Sequence, residues 1–168
     1  MDFGILLLRS VVGLTMAAHG AQKLFAWFGG PGLDKVALGF EQLGFVPGRR
    51  HARLAGLAEV GAGLLLALGL FTPAAGALIL ALMLVAALSV HAKGGFFLTS
   101  GGYEYNLVLG IAGISLVFTG PGRFSLDALL GLSFTGLSWG LAAAIVGLAG
   151  GAVQLAGRRQ PAAAQASS

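Results

Sequence analysis

The chain has no cysteine in its 168 residues, which excludes disulfides, thiol catalysis, iron–sulfur clusters and covalently attached c-type haem. It leaves the redox compartment undecided. Charge is nearly as scarce: 10% of residues are Asp, Glu, Lys or Arg, against about 25% in soluble domains. With 57% hydrophobic residues and a mean hydropathy of +0.89, the composition is that of an integral membrane protein. The length suits one domain of four or five spans with short connections, and leaves no room for a separate soluble catalytic domain. The net charge of +4 does not point to nucleic acid, because most basic residues flank apolar spans and no nucleic-acid-binding element is present. A basic leader region is also missing. Asp2 stands in its place, Arg9 interrupts the apolar run and no small-residue cleavage site follows, so the first span is expected to be retained.

What is present is organised around Ile5 to Phe28, ILLLRSVVGLTMAAHGAQKLFAWF. The run is long enough to cross a bilayer, yet holds Arg9, His19 and Lys23. Charges at that depth are costly unless they face a protein interior. At about 100° per residue the three fall within a wedge of roughly 80° on one helix face, so they should point toward a bundle centre.

Leu33 to Leu43 is amphipathic enough for a short interfacial helix between Gly/Pro-rich flanks, and is a candidate lid. A second span is expected from about Ala52 to Phe71, carrying Glu59. A third runs from Pro73 to His91, and its minimal connection makes it an antiparallel neighbour of the second. After the loop KGGFFLTSGG a fourth runs from Tyr103-Glu104 to Phe118-Thr119, and a fifth from Leu137 to Ala156. The reading is an all-α polytopic membrane protein: a four-helix transmembrane bundle over 1–136, an additional C-terminal Gly/Ala-rich transmembrane helix over 137–157, and a polar tail over 158–168 that is disordered from Gln160. Two hairpins, each with a histidine late in its first helix and a glutamate early in its second, suggest a duplicated two-helix unit. Counting Lys and Arg at the span ends puts the loops around Arg49 to Arg53 and Lys93, with Arg158 and Arg159, in the cytoplasm and the N-terminus outside. The last helix, with Gly136, Gly140, Gly147 and Gly151 at small-xxx-small spacing, reads as a packing helix that docks on its own bundle or forms a homo-oligomer through Gly140, Gly147 and Gly151. Its lack of ionisable groups argues against a part in any polar pocket.

Depth places His19, Lys23, Glu59, His91 and Glu104 in one membrane half, on four helices. That is the arrangement of a polar pocket in a bundle core. Interfacial positions for His91, Lys93 and Glu104, a snorkelling Lys23, and an aromatic belt of Tyr103, Tyr105, Trp27 and Phe28 are the alternatives. A His/Glu/Lys cluster can hold a proton near neutral pH, which suits hydrogen bonding to a quinone. Two histidines on different helices also permit a b-type haem, and His19, His91, Glu59 and Glu104 include ligand types for a mononuclear metal. At the opposite end Arg9 needs a counter-charge, and Asp127 is the expected partner in a structural ion pair.

The stretches RSVVGLTMAAHGAQKLF (Arg9 to Phe25), GLAEVGAGLLLALGLFTPAAG (Gly56 to Gly76), the His91 region with GGFF, GGYEYNL (Gly101 to Leu107) and GPGRFSLD (Gly120 to Asp127) resemble, in order and spacing, the DoxX family of bacterial inner-membrane proteins. The resemblance runs from about Leu6 to Leu130. It implies a four-helix membrane bundle in the inner (plasma) membrane, linked to respiratory or detoxifying redox complexes. Related proteins include the small subunit of a thiosulfate:quinone oxidoreductase. Arg9, His19, Lys23, Glu59, Glu104 and Asp127 fall on positions that look like the family's recurrent polar ones, and the fifth span departs from its plan. The first functional expectation is therefore a quinone-linked oxidoreductase subunit. The alternatives are a carrier for a small molecule or proton, and a scaffold that holds soluble redox enzymes at the bilayer.

Overall fold

The computed structural model describes residues 1–159, and these residues are all-helical. The helices are α1 (Asp2–Phe25), α2 (Gly32–Gln42), α3 (Gly48–Leu68), α4 (Thr72–Ala86), α5 (Glu104–Thr119), α6 (Leu126–Leu129) and α7 (Leu137–Ala156). α4 continues through a π turn, Ala87–His91, and a short 3-10 turn, so that Thr72–Gly94 forms one apolar rod of 23 residues. Among the described residues, this rod, α1, α3 and α7 are the four helices long and apolar enough to cross a membrane. The remaining expected span, α5, has 16 residues, about 24 Å of helix against a hydrocarbon core of about 30 Å. It nevertheless packs on α4, α7 and α1 as part of the bundle, and local bilayer thinning accommodates such lengths. The tail reading from Gln160 onward lies outside the described residues.

Lipid tails are as apolar as leucine, so burial alone does not pull membrane helices together; close backbone approach does. Here that approach is built from glycine. A Cβ on Gly13 would lie 2.5 Å from the carbonyl oxygen of Gly63, and one on Gly20 equally close to that of Gly56, so α1 and α3 touch backbone to backbone. A second seam joins α4 to α7, where a Cβ on Gly147 would meet the Ala77 carbonyl oxygen at 2.7 Å and one on Gly140 would enter the Phe118 ring. Gly140, Gly147 and Gly151 are buried against α4 and α5 of their own bundle. Of the two roles expected for this helix, these glycines serve docking on its own bundle, and α7 turns Leu141, Ile145, Leu148 and Val153 outward. The core between the seams consists of Val12, Met16, Ala62, Leu66, Ala75, Ile79, Met83, Leu109 and Leu116.

The helix ends define two faces. At one, Arg9, the α3–α4 turn and the segment after α5 converge. At the other, the Arg159 backbone N–H donates to the Gly44 carbonyl at 2.8 Å, bringing the end of α7 to the α2–α3 turn.

Candidate functional site

Arg9 and Asp127 reach the same end of the bundle, but the expected ion pair does not form. Arg9 is 2% exposed; its Nη1 donates to the Pro121 carbonyl at 2.8 Å and its Nη2 to the Phe124 carbonyl at 2.7 Å. The Asp127 carboxylate, fully buried, accepts from the backbone N–H groups of Phe71 (2.8 Å) and Thr72 (3.0 Å) and from the Thr72 hydroxyl (2.7 Å). The physical reason is the start of α4, whose first N–H groups lack intrahelical partners and favour an anion. Phe71, at the N-cap, adopts a left-handed backbone with φ of 47°, a conformation costing about 1–2 kcal/mol for a residue with a side chain, and Asp127 holds it there. Gly69 makes room: a Cβ at that position would strike the Arg9 guanidinium.

At the other end the five expected pocket residues take different hydrogen-bond partners, and Lys23, Glu59 and His91 alone among them line one cavity. Lys23, near the end of α1, forms an ion pair with both carboxylate oxygens of Glu59 on α3. Glu59 is 5% exposed, so the Gly56–Glu59–Gly63 face does point into protein. His19 turns to α5, where its Nε2 lies 3.2 Å from the Tyr105 hydroxyl. His91 and Glu104 are bound into the loop between α4 and α5. His91 Nδ1 lies 2.9 Å from the Gly101 carbonyl oxygen, and Glu104 accepts from the Leu98 N–H at 3.0 Å. The duplicated-hairpin pattern thus matches the helix pairs α1/α3 and α4/α5, but not their polar partners.

A cavity of about 500 Å³ opens beside this ion pair, within the range of small-molecule sites. Lys23 and Glu59 sit in its wall with His51, Ser89, His91 and Gln154, while aliphatic residues of α3 and α4 line most of the rest. His19, Tyr105 and Glu104 are not in the lining. Leu54 and Leu78 form part of the wall and are themselves exposed. Contrary to the expectation for α7, that helix contributes Gly150, Gly151 and Gln154. Gln154 Nε2 lies 2.9 Å from His51 Nδ1. His51 is hard to see in the sequence because Arg49, Arg50 and Arg53 make its surroundings look like a basic helix flank; Gln154 carries no charge to mark it. The π turn at Ala87–His91 forms the α4 wall here, with the Ser89 hydroxyl donating to the Val85 carbonyl at 2.6 Å.

With this geometry the sequence match can be placed. The DoxX family model matches residues 4–92, just over half of the chain. The chain belongs to the DoxX family. The matched stretch contains α1 to α4 and hence Arg9, Lys23, His51, Glu59 and His91, whereas the GGYEYNL and GPGRFSLD elements and Gln154 lie beyond it. DoxX proteins are membrane proteins often linked to redox functions. No curated protein and no solved structure matches the chain.

Three chemistries were open for the polar residues of this DoxX chain. A b-type haem needs two imidazoles converging on one iron, and His19 and His91 are instead committed to separate partners on different elements. A mononuclear metal needs several donors together, and among the described residues no three His, Asp or Glu side chains group as metal ligands. The donor set of the cavity is the remaining one: a buried carboxylate, a lysine and imidazoles facing an apolar space.

Proposed function

We propose that this DoxX protein is a membrane subunit of a redox complex and that the cavity beside Lys23–Glu59 holds a quinone or a similar lipid-soluble ligand. The observation that carries the reading is that the Lys23–Glu59 pair, with Glu59 buried and Lys23 part-exposed, lies in the wall of a mostly apolar cavity. A membrane protein does not keep such a pair without compensation, because taking two charges out of water costs several kcal/mol each before their attraction offsets it. When bound, a quinone supplies two-electron chemistry coupled to protons. The chain's own residues would bind its carbonyl oxygens and exclude water, with the Lys23–Glu59 ion pair as the charged end of the site. His19 and Tyr105 sit behind this pair and brace α1 against α5. The apolar walls, including Leu54, Leu78 and Leu82, would accept the ligand's hydrocarbon part.

In the same reading the protein lies in the bacterial inner membrane, with the α2 side and Arg49, Arg50, Arg53 and Lys93 toward the cytoplasm and the N-terminus outside. α1 to α6 act as the DoxX unit and α7 as an additional helix. The test is equilibrium titration of the chain in lipid nanodiscs with a short-chain ubiquinone. Saturable binding at one site per chain, lost in a Lys23→Met/Glu59→Gln double variant, is expected. Absence of saturable binding to the wild type overturns the proposal, and proton or solute uptake into vesicles in its place would move the protein to the carrier class.

A further inference from the structure

We infer that α7, beyond the family-matched stretch, completes the ligand site, and that His51 and Gln154 form a neutral hydrogen-bonding pair that seats a carbonyl oxygen of the ligand at the outer end of the cavity. The inference rests on the proposed quinone-like ligand and names residues that recognise it. An amide NH₂ has no acceptor capacity, so the 2.9 Å contact between Gln154 Nε2 and His51 Nδ1 has the amide donating. The neutral ring therefore carries its proton on Nε2. This leaves two uncharged donors at the cavity wall, the His51 Nε2–H and the second amide N–H of Gln154.

The pair is fixed in place from the other side. The His51 ring packs on Phe45 with centroids 5.6 Å apart, Phe45 packs on Phe40 at 5.5 Å, and the Arg158 guanidinium lies over Phe45 at 5.8 Å. Phe45 is 1% exposed. The Arg159 N–H to Gly44 carbonyl bond ties the end of α7 to the same turn, so Gln154 cannot drift from His51 without dismantling that stack. His51 and Glu59 lie eight residues apart on α3, about 12 Å of helix, which places one polar group toward each end of the cavity. The Lys23 charge is taken up by both oxygens of Glu59. The outer donors are neutral, and neutral donors suit a carbonyl or hydroxyl oxygen of an amphiphile better than an anion.

The chain has three histidines, so ¹⁵N-histidine NMR of the full protein in nanodiscs resolves the His51 tautomer. It is combined with titration of a short-chain ubiquinone into the wild type, Gln154→Leu and His51→Phe, the last of which keeps a ring on Phe45. The expected result is an Nε2–H tautomer for His51 in the wild type, a mixed tautomer in Gln154→Leu, and binding about tenfold weaker in both variants at unchanged thermal stability. A His51 tautomer unaffected by Gln154→Leu, or binding within twofold of wild type in both variants while Lys23→Met/Glu59→Gln abolishes it, overturns this inference and leaves the cavity reading standing. A wild type that binds no ubiquinone overturns both.

Discussion

Removing the Asp127 carboxylate tests the packing of the bundle's other end. Asp127 accepts three hydrogen bonds at 2.7–3.0 Å and is fully buried, as is its partner Thr72. Bonds to a buried charged acceptor contribute about 1.5–3 kcal/mol each, and leaving a buried donor unsatisfied costs a similar amount. Asp127→Ala strands two N–H groups and a hydroxyl and releases Phe71 from its left-handed conformation. Since these losses are not fully additive, a destabilisation of about 4 kcal/mol is expected. For a chain of this size that lowers Tm by about 10 °C. Asp127→Asn keeps one acceptor but turns an NH₂ toward the α4 donors, and is expected to lose about half as much. Thr72→Val, which removes one bond, should lose about 2 kcal/mol. The assay is thermal unfolding in detergent, followed by the fraction of protein that remains monodisperse after heating. If Asp127→Asn and Asp127→Ala both melt within 2 °C of the wild type, the capping account of this end is refuted.

Three further outcomes are expected. Lys23→Met should destabilise the protein by on the order of 3 kcal/mol, because it strands Glu59 in the interior, whereas Lys23→Met/Glu59→Gln should recover most of that loss; thermal unfolding of both reports the difference. Gly63→Leu should prevent accumulation of folded protein, since its side chain would enter the α1 backbone at Gly13 and Ala17, and monodispersity of the detergent extract checks it. Gly147→Leu should lower Tm by forcing α7 off Ala77 and Leu80 while leaving the oligomeric mass by light scattering unchanged, because Gly147 faces its own bundle.

The helices were legible in the sequence because a bilayer demands long apolar runs: Leu137–Ala156 is bounded by structure where the sequence places it, and the α1, α3 and α4 readings are displaced by only a few residues. The direction of side chains was less legible. The glycines of α7 announce a close approach without naming the partner helices, which are α4 for Gly147 and Gly151 and α5 for Gly140. Arg9 and Asp127 look complementary as charges, but each turns mainly to backbone groups, which have no signature in residue identity. Depth alone groups His19, Lys23, Glu59, His91 and Glu104 at one end. Which of them share a space depends on rotation about each helix axis and on the fold of the Lys93–Gly102 loop, which draws in His91 and Glu104. His51 and Gln154 escaped because one was masked by arginines and the other is uncharged.

The central claim is that the cavity beside Lys23–Glu59 holds a quinone-like ligand. Its most direct test is to extract the protein from its native membrane into lipid particles without detergent, and to quantify the bound quinone by organic extraction and mass spectrometry, beside the Lys23→Met/Glu59→Gln variant. The account predicts close to one quinone per wild-type chain above the bulk-lipid level and none above that level in the variant; equal amounts in the two would contradict it.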